Sequence, residues 1–207
     1  MKKIIIILIS IFICSSCGEW EWDESPRYYQ FTQSNYEYIP TIYSDIGKTF
    51  KFKNQLNEEV IIEVLRYKLT KEKAGGYFTS SPLHYYQNLE IELKVQDEGG
   101  KTPNCDLKRI NFSNANGSYF VCHLLSSRSP DPCSNGSIPP QKFEFPLELE
   151  VMNINGVNYN KVISVFENNE AYFSTKYTFN KVYFDFKQGF IGFDDTENNV
   201  QFRIVKD

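Results

Sequence analysis

Asn88-Leu89-Glu90-Ile91-Glu92-Leu93-Lys94-Val95-Gln96 carries an apolar residue at every second position. Phe143-Glu144-Phe145-Pro146-Leu147-Glu148-Leu149-Glu150-Val151 repeats the pattern. A period of two sends all the apolar side chains to one face of a strand and the polar ones to the other. One face is then core and the other wet, the signature of an antiparallel sheet. Pro146 cannot donate to a ladder, which predicts an edge strand or a bulge there.

Working outward, strands are expected at Thr49–Lys53, Val60–Leu69, Leu107–Phe112, Tyr119–Leu125, Val157–Phe166, Lys181–Lys187, Phe190–Phe193 and Val200–Val205. Asn116-Gly117 and Asn155-Gly156 are hairpin dipeptides, and Gln188-Gly189 and Asp194–Asn199 read as further turns. Many short strands separated by turns predict an all-β fold, a single antiparallel β-sandwich or a partly open β-barrel. A short helix is expected only at Asn168–Thr175. Ser126–Gln141, rich in Ser, Pro, Asn and Gly, reads as a long loop within one domain.

The composition supports one folded unit. The chain has 207 residues with 14 Tyr, 17 Phe and 2 Trp, enough apolar material for a core and too much for disorder. A net charge of −4 without a basic block argues against a nucleic-acid partner. Two His leave little room for His-based metal or triad chemistry.

Met1-Lys2-Lys3 precedes Ile4–Ile13, a run of Ile, Leu and Phe broken by one Ser, and then Cys14-Ser15-Ser16-Cys17. A basic start, a short apolar run and small residues before a cut describe an export signal, too short to span a bilayer. The ending resembles a bacterial lipobox, although Cys14 stands where an aliphatic residue is usual. The resemblance implies cleavage before Cys17 and lipidation of its thiol, the acyl chains then anchoring the protein in a membrane. Residues 1–16 are thus expected to be a lipoprotein signal peptide, 17–30 a lipid-anchored acidic tether, and 31–207 a single β-rich domain. Gly18-Glu19-Trp20-Glu21-Trp22-Asp23-Glu24 is similar to the acidic export signals of Bacteroidota-type surface lipoproteins. That implies an outer-membrane lipid anchor, facing the surface rather than the periplasm. Loss of Lys2 and Lys3 with the signal takes the charge to −6.

Three cysteines remain, and an oxidising compartment allows a disulfide. A two-residue turn at Asn116-Gly117 would set Cys122 opposite Asn111. Cys105 would then lie about 20 Å farther along, at ~3.3 Å per residue, beyond bridging range. The expectation is a Cys105–Cys133 bridge, with Cys122 free and buried.

No catalytic set stands out. Cys122 and His123 are strand neighbours and point to opposite faces, so they form no working dyad. Glu90, Glu92, Glu144, Glu148 and Glu150 could supply a carboxylate pair for glycoside hydrolysis, but spacing of two is what any wet strand face gives. Asp194-Asp195-Thr196-Glu197-Asn198 has the oxygen density of a calcium loop without its frame, and reads as a hairpin tip. Tyr85 and Tyr86 are candidate binding aromatics, joined by Tyr28, Tyr29, Tyr36 and Tyr38 as a stacking surface for sugar or peptide. No phosphate loop, dinucleotide fingerprint or Cys-x-x-Cys occurs, and no cofactor or metal is expected.

Tyr38-Ile39-Pro40 with Gly47-Lys48-Thr49-Phe50-Lys51-Phe52 resembles the opening of many Bacteroidota-type cell-envelope lipoproteins. Ile154–Val162 and Tyr183–Phe193 resemble their internal and closing hairpins. The resemblance implies an all-β lipoprotein and carries over no functional residue. The leading expectation is a non-enzymatic binding or assembly module held at the envelope by lipid on Cys17, with an envelope protein or glycan as partner. The alternatives are a lipocalin-like carrier of a small apolar ligand and a carboxylate-dependent hydrolase.

Overall fold

The computed structural model describes residues 26–75, 83–96, 107–114, 119–126, 141–166, 173–174 and 177–205. The strands are β1 (Arg27–Tyr29), β2 (Thr49–Lys53), β3 (Glu59–Ala74), β4 (His84–Gln96), β5 (Leu107–Ser113), β6 (Val121–Ser126) and β7 (Gln141–Glu144). They continue as β8 (Glu150–Ile154), β9 (Val157–Phe166), β10 (Phe173–Ser174), β11 (Thr178–Phe179), β12 (Lys181–Asp185), β13 (Gly189–Asp195) and β14 (Val200–Ile204). Among the described residues, helical structure is confined to one turn, α1 (Gln33–Tyr36), and a 3-10 turn at Thr41–Tyr43.

One path of hydrogen-bonded neighbours runs β7-β6-β5-β4-β3-β2-β14-β13-β12-β9-β8, antiparallel throughout, as a curled half-barrel. The all-β expectation holds, in its partly open barrel form. β1 lies off this path and pairs parallel with β4, Arg27 to Tyr29 opposite His84 to Tyr86. The sheet therefore takes up the chain at Arg27, four residues before the expected start of the domain.

The Phe143–Val151 alternation is two strands rather than one. β7 ends at Glu144, and the chain breaks at Pro146, which has no N–H to continue a ladder. β7 and β8 are the two ends of the path, as Pro146 foretold for an edge. Only five residues join them, so the edges of the curled sheet lie within about 20 Å of each other. The alternation still reports burial, because Leu147 and Leu149 pack against the core without pairing.

Phe145 fills this seam. Its ring lies 4.9 Å from Phe120, just before β6, and 5.0 Å from Phe186, just after β12, and its amide donates to Phe120 O at 3.0 Å. Tyr38 covers it at 4.6 Å. From Phe186 the rings continue through Phe184, Phe190, Phe193, Phe179 and Phe202, each within 6 Å of the last. All six are essentially fully buried. The concave face of the sheet is thus packed with aromatic rings in edge and tilted contacts, which add about 0.5–1.5 kcal/mol per pair beyond area burial.

The segment between β1 and β2 closes the concave side with Phe31, Ile39 and Tyr43. Thr32 starts α1: its hydroxyl accepts from Asn35 N, and its own backbone N–H donates to Asn35 Oδ1 at 2.8 Å, a capping box. The helix expected at Asn168–Thr175 does not form where it is described. Phe173–Ser174 is a strand paired with Thr178–Phe179, in keeping with its aromatic residue.

Candidate functional site: the outer face of β3, β4 and β5

Leu89, Ile91, Leu93 and Val95 of β4 face the core, so Tyr86, Asn88, Glu90 and Glu92 face outward. On β3, Val60, Ile62 and Val64 face the core. Beyond them the register slips: Val64 stands opposite Leu93, but Arg66 stands opposite Glu92. Leu65 is the extra residue of a bulge, and one extra residue exchanges the two faces. Tyr67 and Leu69 therefore take the inner face opposite Ile91 and Leu89, while Arg66, Lys68, Thr70 and Glu72 turn outward beside Glu90. β5 adds Arg109 opposite Glu92.

These residues surround a polar cavity of about 240 Å³ lined by Arg66, Lys68, Thr70, Glu72, Asn88, Glu90 and Arg109. Arg109 reaches Glu92 at 3.1 Å and Glu90 at 3.8 Å, and Arg66 reaches Glu90 at 3.2 Å. Thr70 Oγ1 lies 2.7 Å from Glu72 Oε1. Glu90, Glu92 and Arg109 are largely sheltered, with side-chain exposures of 22%, 16% and 15%. Each is held by a charged neighbour, which fixes the geometry of the cavity floor. Lys68 and Asn88 differ: among the described residues their side chains have no polar partner.

The expected Tyr surface is divided. Tyr86 lies on the outer face opposite Glu72, and Tyr85 on the inner face. Burial, then the Glu72 carboxylate, raise the Tyr86 hydroxyl above its ordinary value. Tyr29 and His84 continue the outer aromatic row, with rings 5.1 Å apart and His84 6.4 Å from Tyr86. On the inner face, Lys71 Nζ sits between Tyr28 and Tyr85, 4.6 and 4.2 Å from the ring centres. This contact joins β1, β3 and β4. Asn114 completes the join: its amide N–H donates to Gln87 O and its side chain to Gln30 O at 3.0 Å. β1 is thereby secured to the edge of β4 where β5 stops. Tyr36 and Tyr38 stand elsewhere, against Phe31 and against Phe145.

The remaining candidates are structural where they are described. Cys122 is fully buried with a free thiol, which burial pushes well above its ordinary pKa. Its partner in the ladder is Phe112, not the expected Asn111, which pairs with His123. Ser113 stands opposite Val121. His123 faces outward beside Lys142, and burial, then that ammonium, lower its pKa. Asp194 accepts from Tyr183 Oη at 2.7 Å and pairs with Arg203. Asp195 holds the turn by accepting from Asn198 N at 2.9 Å and Thr178 N at 3.1 Å. The acidic hairpin is therefore tied up internally, and among the described residues no group of His, Cys, Asp and Glu could hold a metal ion. Glu144 lies on β7 beside Lys142, and Glu150 on β8 opposite Val162. These sit at the two edges of the path, not with Glu90. Cys17, Cys105 and Cys133 lie outside the described residues, as does Asn116-Gly117. No described helix is long and apolar enough to cross a membrane.

A second cavity, about 620 Å³ and wide open, lies between Lys53, Asn54, Gln55, Asn155, Asn199 and Arg203. Four of its lining side chains, Lys53, Asn54, Gln55 and Arg203, are engaged within the fold. Asn54 accepts from Leu56 N and Glu58 N, Gln55 bridges Asn199 and Gln201, and Arg203 and Lys53 are paired with Asp194 and Glu59.

No family model, curated protein or solved structure matches this chain. The functional reading therefore rests on its own residues.

The phase change that builds the site is written in the sequence. The inward residues Val60, Ile62 and Val64 are followed by Tyr67 and Leu69, a three-residue step, although apolar Ile61 and Leu65 blur the alternation. That step marks the bulge. The pairing of Arg109 with Glu92 had no local signal, because it depends on the register between β4 and β5.

Proposed function

We propose that the protein is a non-enzymatic binding module of the bacterial cell envelope, tethered to a membrane by lipid on Cys17 and binding through the outer face of β3, β4 and β5. The observation that carries this reading is the unspent pair, Lys68 and Asn88, facing a cavity whose Arg66, Glu90 and Arg109 are held in ion pairs and whose Thr70 and Glu72 are hydrogen-bonded to each other. Fixed donors and acceptors around an open position suit recognition. Glu90 and Glu92 share one guanidinium, an arrangement that supports holding a ligand over proton transfer. The concave side is filled by aromatic side chains, which speaks against the carrier reading. Placement on the outward-facing leaflet is the corresponding reading of the acidic run after Cys17.

Two variants test the two halves. Cys17→Ser should abolish incorporation of a labelled fatty acid and release the protein from membranes. The double variant Lys68→Ala, Asn88→Ala, with the anchor intact, should stay on the membrane. Made soluble by Cys17→Ser, the parent should cosediment with isolated envelope fragments and the Lys68→Ala, Asn88→Ala form should not. Equal cosedimentation of both soluble forms would refute the site.

A further inference from the structure

We infer that the cavity on β3, β4 and β5 takes one pyranose ring of a neutral saccharide, with Tyr86 as the surface on which the ring lies; this rests on the binding-module reading above. At about 240 Å³ the space is smaller than the ~300–1,000 Å³ of drug-sized sites, which fits a single compact ring. Its wall carries both signs of charge. A bare anion would meet Glu72 and Glu90, and a bare cation would meet Arg66 and Lys68. Hydroxyl groups donate and accept at once, so a polyhydroxylated ring satisfies both kinds of wall group. The carboxylate, guanidinium and carboxamide groups are planar and suit paired contacts to adjacent hydroxyls.

A sugar also has an apolar face of C–H bonds, which needs a ring to lie on. Tyr86 does not line the cavity itself but neighbours two residues that do: it is the next outward residue after Asn88 on β4 and stands opposite Glu72. Asn88 and Lys68 would exchange bound water for ligand hydroxyls without breaking a protein contact, a replacement that costs little.

The test is NMR on the full chain: saturation transfer to neutral hexose, N-acetylhexosamine and pentose tetrasaccharides, and shift perturbation of the isotope-labelled protein by the same saccharides, with inorganic phosphate and free glycine as comparison probes. Transfer to ring C–H protons is expected. Tyr86→Ala and Asn88→Ala should each weaken binding at least tenfold, and Tyr85→Ala, on the opposite face, should leave it unchanged. Asn88→Ala removes an unpartnered side chain, so the test does not depend on the fold of Tyr86→Ala. Saccharide binding that survives both substitutions would overturn the inference. So would perturbation of the Asn88 side-chain amide by phosphate or glycine alone, which would leave the binding-module reading standing. If no probe perturbs residues 66–72 or 86–92, both readings fail.

Discussion

Arg66 Nη1 lies 3.2 Å from Glu90 Oε1 on the outer face of the sheet, although the alternation that begins at Val60 would have placed Arg66 in the core. The bulge at Leu65 accounts for the difference. Deleting Leu65 would restore continuous pairing and drive Arg66 to the inner face while Tyr67, which packs against the core, turned to solvent. The expected loss is about 3 kcal/mol or more, since a charged group would meet the apolar face without a partner. Urea denaturation measures it, and Leu65→Ala, which keeps the residue count, should cost far less.

Gly189 has a φ of +75°, and a Cβ there would run into the Tyr43 ring. The same Tyr43 hydroxyl accepts the Phe190 amide at 2.7 Å. Gly189→Ala should therefore destabilise the fold by about 2–4 kcal/mol, combining backbone strain with overpacking. Tyr43→Phe, which removes only the acceptor, should cost about 1–2 kcal/mol. Thermal unfolding of the two variants should rank them in that order.

Asp195 is buried, and burial alone would raise its pKa. Hydrogen bonds from the Asn198 side chain and from the backbone of Asn198, Thr178 and Glu197 overcome this and hold it below its ordinary value. A carboxylate with a lowered folded pKa adds stability above the unfolded value, about 4, and that stability is lost as pH falls through the folded value. Unfolding free energy should thus fall below about pH 4. Asp195→Asn should be less stable than the parent at pH 7 by about 1–2 kcal/mol, and the gap should narrow at pH 3.

Cys122 has no exposed surface, and burial disfavours its thiolate. Iodoacetamide at pH 8 should leave it unmodified in the native protein and alkylate it fully in urea. Mass spectrometry of the peptide containing Cys122 reads both states.

Much of the architecture was legible because alternation reports burial directly. Thr49–Lys53 and Val157–Phe166 coincide with β2 and β9, and the ends of most other strands differ by a few residues. The exceptions have local causes. Phe143–Val151 reads as one strand because Leu147 and Leu149 stay inward after Pro146 has ended the ladder. Arg27–Tyr29 looks like tether because its burial is slight, yet Lys71 and Asn114 fasten it from strands distant in sequence. Tyr85-Tyr86 reads as one surface, and strand geometry splits it between two faces. The cavity itself depends on three strands in one register, which no single window of sequence contains.

The outer face of β3, β4 and β5 is the proposed binding surface. Amide hydrogen exchange of the full chain, with and without solubilised envelope material, tests it most directly. Added protection is expected in residues 66–72 and 86–92, absent in the Lys68→Ala, Asn88→Ala variant. Protection confined to the β7 and β8 edges, or identical protection in parent and variant, would contradict it.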